Sequence, residues 1–448
     1  MVTEMKFYNR ESELILLNQL DKQSASSGIM TVLTGRRRVG KTVLALHHAQ
    51  GKRFLYLFIA KKEEHLLCQE FLEEIRKVFV QVPIIGEIRN FKDIFALLLE
   101  IAKKENYSLI FDEFQEFFQI NPSVYSDIQK LWDLNKYSIK LHIIFIGSVY
   151  SLMHKIFEEE KEPLFGRADR ILNMKSFSIR TTRKILEDND IYNSDNLFHF
   201  FVLTGYLPKY IDVFIKAKVK NLEDMLEVIF QSNSLFLNEG KNLLITEFGR
   251  DYLTYFSILE LISLGKTARS EIESILKKDI GGYLQRLEVD YGVIARHRSI
   301  QAKPNTKYQK YKIVDNFLNF WFRFVYRYQT AVEIENFQYL KKIVKRDFST
   351  YCGPMLEHFF QNLFKETNQF NEIGGYWEKD NKNEIDVVAI NDLEKRIIIA
   401  ETKLNKSKIR VNQLRERSKI LIQTYPQYDL TYLSLGIEDI EKFLESVK

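Results

Sequence analysis

One short stretch, GRRRVGKT at positions 35–42, narrows the fold of this chain more than any other feature. It fits G-x-x-x-x-G-K-[ST] and directly follows the apolar, β-branched run 29–33, which has the length of a buried strand. Glycines at both ends let the backbone curl so that its amides, and those opening the next helix, point at anionic oxygens. Gly35, Arg38, Val39 and Gly40 then line the curl around a bound triphosphate. Lys41 reaches the β and γ phosphates, and the Thr42 hydroxyl is placed to coordinate Mg²⁺. The arginines at 36–38 either touch phosphate or point to solvent, and neither reading makes them catalytic.

Such a site needs a second buried strand that ends in carboxylates, because magnesium takes oxygen ligands and the attacking water must be oriented. YSLIFDE at 107–113 supplies it, with Asp112 in the magnesium sphere and Glu113 against the water. A third run, 141–146, ends at Gly147 and Ser148, where the hydroxyl either senses the γ phosphate or caps a local helix. Arg167 offers a guanidinium to transferring phosphate, from this chain or a neighbouring subunit, or else closes a surface ion pair. His47 and His48 follow in the presumed helix, where nothing supplies further zinc ligands, so local packing or capping is expected of them. Apolar runs at 29–33, 54–59, 108–111 and 141–146 alternate with amphipathic segments such as 64–79 and 91–104. That rhythm predicts a parallel α/β sheet.

At about 150 residues per domain, 448 residues predict about three domains. The balance of 65 basic and 60 acidic residues, +5, is too small to establish a nucleic-acid partner by itself. Two cysteines, Cys68 and Cys352, exclude a disulfide scaffold and a four-thiolate metal site, and a reducing cytoplasm is expected. The first residues lack the apolar core of a signal peptide, and no apolar run reaches the 18 or so residues of a membrane span.

Downstream, 176–250 reads as helical, and 251–315 as three helical stretches followed by two short strands. The spacing suits a compact helix-turn-helix, with Arg286, Arg296, His297 and Arg298 near the candidate reading helix and hairpin. DNA-backbone binding and plain packing with solvated arginines both fit this region. The aromatics of FLNFWFRFVYRY are expected in a core. Segments 384–390 and 396–403 predict adjacent antiparallel strands. If Ile390 faces Ile397, Asp386 falls opposite Glu401, Lys403 shares the face of Glu401, and Thr402 points away. Two like charges at about 4 Å and an effective dielectric of about 20 repel by about 4 kcal/mol, which favours a cation or a raised pKa. Magnesium on Asp386 and Glu401, with Lys403 against phosphate charge, makes phosphodiester hydrolysis credible. Basic residues from Lys403 to Lys419 follow phosphates or solvate a helix face.

Taken together, GRRRVGKT, LIFDEFQ, FIGSVYSLM, PLFGRAD and TGYLPKYI resemble the archaeal-type P-loop ATPases of the signal-transducing branch related to AAA+ proteins. The resemblance implies an ATPase core at 1–175 and a helical lid at 176–250, with ATP and Mg²⁺ as cofactors and Lys41, Thr42, Asp112 and Glu113 inheriting the nucleotide roles. It puts Ser148 at a polar sensor position and Arg167 at the post-sensor arginine. Tyr206 departs from the commoner double-glycine form. A winged helix, here 251–315, is expected after such an ATPase. IGGYW, EIDVVAI and AETKLNK resemble the restriction-nuclease-like PD-(D/E)xK superfamily, which assigns 316–448 to a nuclease-like domain. That resemblance implies Glu357 as the helical acid, Asp386, Glu401 and Lys403 as the central motif, and Gln413 at a later polar position. The expected fold is therefore multidomain, α/β and α+β. The expected function is an ATP-hydrolysing switch that positions DNA-binding and possible nuclease modules. The alternative is a non-nucleolytic signalling or scaffold protein that binds a protein partner or a second copy of itself.

Overall fold

The apolar runs of the first third become strands β1 (Ile29–Thr34), β2 (Phe54–Phe58), β3 (Tyr107–Asp112), β4 (Leu141–Ile146) and β5 (Arg170–Asn173). They are seen in a computed structural model that describes residues 6–79, 88–249, 252–303, 306, 308–379 and 382–446. Two compact units divide the chain, residues 7–176 and the remainder. In the first, every strand pairing is parallel and the order is β2-β3-β4-β1-β5. Every residue of β1, β3 and β4 is buried, which is why these strands read as continuous apolar runs. Helices Glu64–Val78 and Phe91–Lys104 supply apolar faces to a core where Phe114 and Phe145 meet at 4.2 Å between ring centroids. Pairing of Leu33 with Ile146 and of Phe111 with Phe145 aligns the carboxyl ends of β1, β3 and β4. Helix α1 (Glu11–Ser24) precedes β1, and α2 (Lys41–Ala49) follows the loop after it.

In the second unit, helices Ile179–Asp188, Ser194–Thr204, Pro208–Lys216, Leu222–Ile229 and Leu235–Phe248 form the helical lid. The aromatic helix Asn316–Phe324 packs among them. Trp321 Nε1 donates to Leu237 O at 3.0 Å, and a Cβ on Gly240 would lie 2.2 Å from the Trp321 ring, so only glycine admits that ring. Phe317, Phe320, Trp321, Phe322 and Phe324 are buried, as the core reading expects. Helices Tyr252–Ser263, Arg269–Leu276 and Gly281–Val289 precede an antiparallel ribbon of β6 (Ile294–Arg298) and β7 (Gln309–Ile313).

A second sheet has the order β11-β10-β9-β8, from β8 (Glu372–Tyr376), β9 (Ile385–Asn391), β10 (Arg396–Thr402) and β11 (Asp429–Leu435). Ile390 pairs with Ile397, the register supposed for these two strands. The 30-residue helix Phe337–Glu366 packs on β8 and β9. Two acids tie this part to the lid. Glu366 accepts from the backbone N–H of Ile179 at 2.7 Å, capping the first lid helix, and Glu441 pairs with Arg183 at 2.6 Å and accepts from the Tyr192 hydroxyl. The end of the β6–β7 ribbon is also docked. Ile300 lies in the core with Ile385, Val388 and Ile399, its N–H donates to Gly375 O at 2.9 Å, and Trp377 N–H donates to Ser299 Oγ at 2.9 Å.

Candidate nucleotide site and C-terminal carboxylates

The loop after β1 turns through three left-handed positions: Gly35 at φ +130°, Arg38 at +73° and Gly40 at +90°. A Cβ on Gly35 would lie 2.4 Å from Met174 O, so that position requires glycine on two counts. Lys41 is buried at the start of α2, and its ammonium donates to Gly35 O at 2.7 Å and Arg36 O at 2.9 Å, closing the loop from within. Burial pushes the Lys41 ammonium down to about 8, against the opposing pull of Glu113 and Asp112. The Thr42 hydroxyl donates to Asp112 Oδ2 at 2.6 Å. Two hard oxygens facing one point, on a helix start and a strand end, fit a magnesium ion. Glu113 takes a left-handed turn at φ +56°, which aims its carboxylate at β4, and Oε2 accepts from Ser148 Oγ at 2.6 Å. Lys41, Thr42, Asp112, Glu113 and Ser148 therefore meet at one sheet edge. Arg167 lies elsewhere, with its guanidinium on Asp133 at 2.8 Å and on Pro163 O at 2.7 Å, the surface ion pair that was one of its two expected roles.

At the second sheet, the β9–β10 pairing ends at Val387 and Ala400. Beyond it the Asp386 side chain replaces a backbone acceptor, taking the Thr402 N–H at 2.8 Å and the Thr402 hydroxyl at 3.2 Å. Thr402 therefore engages Asp386 rather than pointing away from it, while its own strand stays paired with Leu435 of β11. Glu401 is buried and pairs with Lys403 at 3.3 Å and with Arg417. Glu357 is pushed up to about 8 by burial and by the neighbouring Asp386, with Lys312 opposing. Gln361, unsuspected from sequence, donates to Asp386 O at 2.9 Å. Gln413 lies on the short helix Val411–Arg417. Among the described residues, Glu357, Asp386 and Glu401 do not close into a group of ligand atoms within 4.8 Å of one another, whereas Asp21, His48 and His142 do. The local packing expected for His48 thus understates its surroundings: its two partners come from α1 and β4, far off in sequence. The basic stretch after Lys403 is largely spent internally, with Lys406 on Asp439 at 2.6 Å and Arg417 on Glu401 and Glu384 O.

Residues 7–214 match a family described as an ATPase domain predominantly from Archaea. This segment is an archaeal-type P-loop ATPase domain. Residues 321–416 of the ATPase match a second family, described as archaeal and bacterial proteins of unknown function. An uncharacterized protein of Methanocaldococcus jannaschii is 28% identical over 448 residues, 98% of this chain and 94% of the relative. Among solved structures, a Walker-type ATPase of Pyrococcus abyssi is 19% identical, covers 72% of this chain and 97% of that chain, and superposes with a TM-score of 0.55. The ORC2 protein of Aeropyrum pernix, in ADPNP and ADP complexes, is 15% identical over 74% of this chain and 95% of that one, with a TM-score of 0.50. At these identities the likeness to solved structures is one of fold.

Three further residues shape the ATPase site without standing out in sequence. Tyr56 donates its hydroxyl to Asp112 Oδ2 at 2.9 Å. Gln115, fully buried, donates to Glu113 Oε2 at 2.5 Å and accepts from Ser148 N–H at 3.3 Å. Arg10, at φ +79° before α1, donates to Val39 O at 3.2 Å and Lys175 O at 2.6 Å, holding the phosphate loop from behind. Gln115 had a local signal, since it follows the acid pair by two positions; Tyr56 and Arg10 reach the site only through the fold. Among the described residues, no helix is long and apolar enough to cross a membrane.

Proposed function

We propose that this ATPase is a regulatory switch: ATP bound at Lys41, Thr42 and Asp112 sets the position of the lid, and the lid carries the C-terminal module into or out of association with a partner. Hydrolysis, with Glu113 orienting water, resets it. The observation that carries the reading is the double tie of lid helix Ile179–Asp188 to Glu366 and Glu441, through which a shift of the lid is passed to the long helix and the last helix of the C-terminal module. Mg²⁺ on Thr42 and Asp112 supplies charge neutralisation to the transferring phosphate. Arg167 contributes in trans from a second copy once released from Asp133.

The partner in this reading is duplex DNA, engaged by a winged-helix module whose helix Gly281–Val289 exposes Gln285 and Arg286. The ribbon end is occupied by the C-terminal sheet, so the helix supplies the groove contacts. The C-terminal module acts without cleaving, because Lys403 and Arg417 neutralise Glu401 and Thr402 occupies Asp386. A reducing cytoplasmic setting suits its buried free thiols, Cys68 and Cys352.

A second reading, Mg²⁺-dependent DNA cleavage by a PD-(D/E)xK domain through Glu357, Asp386, Glu401 and Lys403, is favoured by one observation: Glu357 and Asp386 both have carboxyls raised by burial, the response of acids that a cation would relieve. Fluorescence anisotropy on duplex DNA with ADP or a non-hydrolysable ATP analogue, followed by a gel of the same DNA, separates the two. The switch predicts a Kd change of at least about fivefold between nucleotide states and intact DNA. Nicked DNA with the wild type and intact DNA with Asp386→Ala supports the nuclease, and equal Kd values in both nucleotide states remove the switch.

A further inference from the structure

Helix α2 begins at the phosphate site and ends at a separate cluster. His48, in its last turn, is 4% exposed, and His142, near the start of β4, is fully buried. Both converge on Asp21 of α1, with His142 Nδ1 at 2.5 Å from Oδ1 and His48 Nε2 at 2.9 Å from Oδ2. All three ligand atoms lie within 4.8 Å of one another. Five residue steps, about 17 Å at about 3.3 Å each, lead along β4 from His142 to Gly147 at the nucleotide edge. We propose that Asp21, His48 and His142 bind a divalent transition metal of the zinc class, taken up in exchange for the ammonium of Lys52.

Two imidazole nitrogens and one carboxylate are a donor set that zinc accepts, with a fourth position left for water. Lys52 marks the demand for positive charge there: its Nζ lies 2.6 Å from Asp21 Oδ2 and 3.3 Å from His48 Nδ1, and is steadied from outside by Asn18 Oδ1 at 2.9 Å. The Lys52 side chain is 34% exposed and has a path to solvent. Burial opposes ionisation of Asp21, but hydrogen bonds from His142, His48 and Lys52 more than offset it and hold the carboxyl far below its usual range. Burial also holds His142 below its ordinary value, against the opposing pull of Asp21, which favours the neutral ring that a ligand needs.

The protons balance without net release. For Nδ1 of His142 to offer a lone pair, its proton moves to Nε2, where Thr31 Oγ1 at 2.8 Å accepts as readily as it donates. For Nε2 of His48, the proton moves to Nδ1; Lys52 Nζ approaches both ring nitrogens, at 3.3 and 3.4 Å, and vacates both. Bonds of about 2.0 Å space tetrahedral donors about 3.3 Å apart, so with Oδ1 of Asp21 as the ligand its 2.5 Å contact to His142 Nδ1 opens by less than about 1 Å. The ion would join α1, the end of α2 and the start of β4.

The test titrates full-length, metal-stripped protein with CoCl₂ and follows the visible absorption bands of tetrahedral Co²⁺. Saturation at one equivalent is expected, with Zn²⁺ displacing the colour and Asp386→Ala leaving it unchanged. Lys52→Met should tighten binding by about tenfold or more, and His48→Gln should weaken it by about a hundredfold, with circular dichroism checking its fold. Absence of tetrahedral bands in both the wild type and Lys52→Met overturns the proposal. So do bands that form with wild-type affinity in folded His48→Gln or vanish in Asp386→Ala. If His48→Gln does not fold, Lys52→Met decides alone, and an affinity no tighter than wild type overturns it.

Discussion

Thr42 and Tyr56 donate to the same oxygen of Asp112, at 2.6 and 2.9 Å, from the start of α2 and the middle of β2. With Mg²⁺ bound as proposed, Thr42 would turn from donor to ligand, whereas Tyr56 would only compete for the carboxylate. Removing the phenol should therefore strengthen Asp112 as a ligand. One net hydrogen bond is worth about 0.5–1.5 kcal/mol, so Tyr56→Phe is expected to lower the Mg²⁺ concentration for half-maximal ATP turnover by roughly threefold. A magnesium titration of initial rates checks it, and a raised requirement contradicts it.

Lys41 gives a pH signature. Burial brings its free-state value down to about 8, and a triphosphate placed against it raises that value again. A group whose pKa rises on binding takes up protons in the window between the two values, which here opens near pH 8. At pH 8.5 the free group is about one quarter protonated, so ATP binding should draw in more than half a proton there and almost none at pH 6.5. Calorimetry in buffers of different ionisation enthalpy measures the uptake. The same uptake at both pH values would count against a buried, phosphate-facing Lys41.

Gln115 holds Glu113 and reaches Ser148 at once, and Gly147 makes room for it, since a Cβ there would lie 2.7 Å from Gln115 Oε1 and 2.2 Å from Met153 Sδ. Gln115→Leu should lower kcat by about tenfold or more, equivalent to about 1.4 kcal/mol, while the Kd for ATP stays within about twofold. Gly147→Ala should show the same split with an added loss of stability. A parallel fall in kcat and ATP affinity would make Gln115 a packing residue only.

Docking of the ribbon end predicts a stability cost. Ile300 is 5% exposed among Ile385, Val388 and Ile399. Ile300→Ala should cost about 2–5 kcal/mol in urea unfolding, as truncation of a buried aliphatic side chain does. A free, DNA-facing wing would tolerate it within about 0.5 kcal/mol.

Features carried by contiguous residues were legible in the sequence. GRRRVGKT after a β-branched run, FDE at a strand end, and the adjacent strands that hold Ile390 and Ile397 all rest on local periodicity and turn chemistry. What escaped depends on pairings between distant segments. His48, Asp21 and His142 come together only because α1, α2 and β4 are neighbours in the folded sheet layer, and the partner of Arg167 is set by the helix carrying Asp133. The contact of Thr402 with Asp386 joins the ends of two strands, which alternation alone does not encode.

Single-turnover hydrolysis of ATP by Glu113→Gln beside the wild type addresses the central claim most directly. The variant keeps the Lys41 cradle and the Thr42–Asp112 pair, so ATP should bind within about threefold of wild type while cleavage of the γ phosphate slows by at least about a hundredfold, the scale of a positioned acid or base. Turnover at the wild-type rate would show that the carboxylate beside Ser148 does not orient the attacking water.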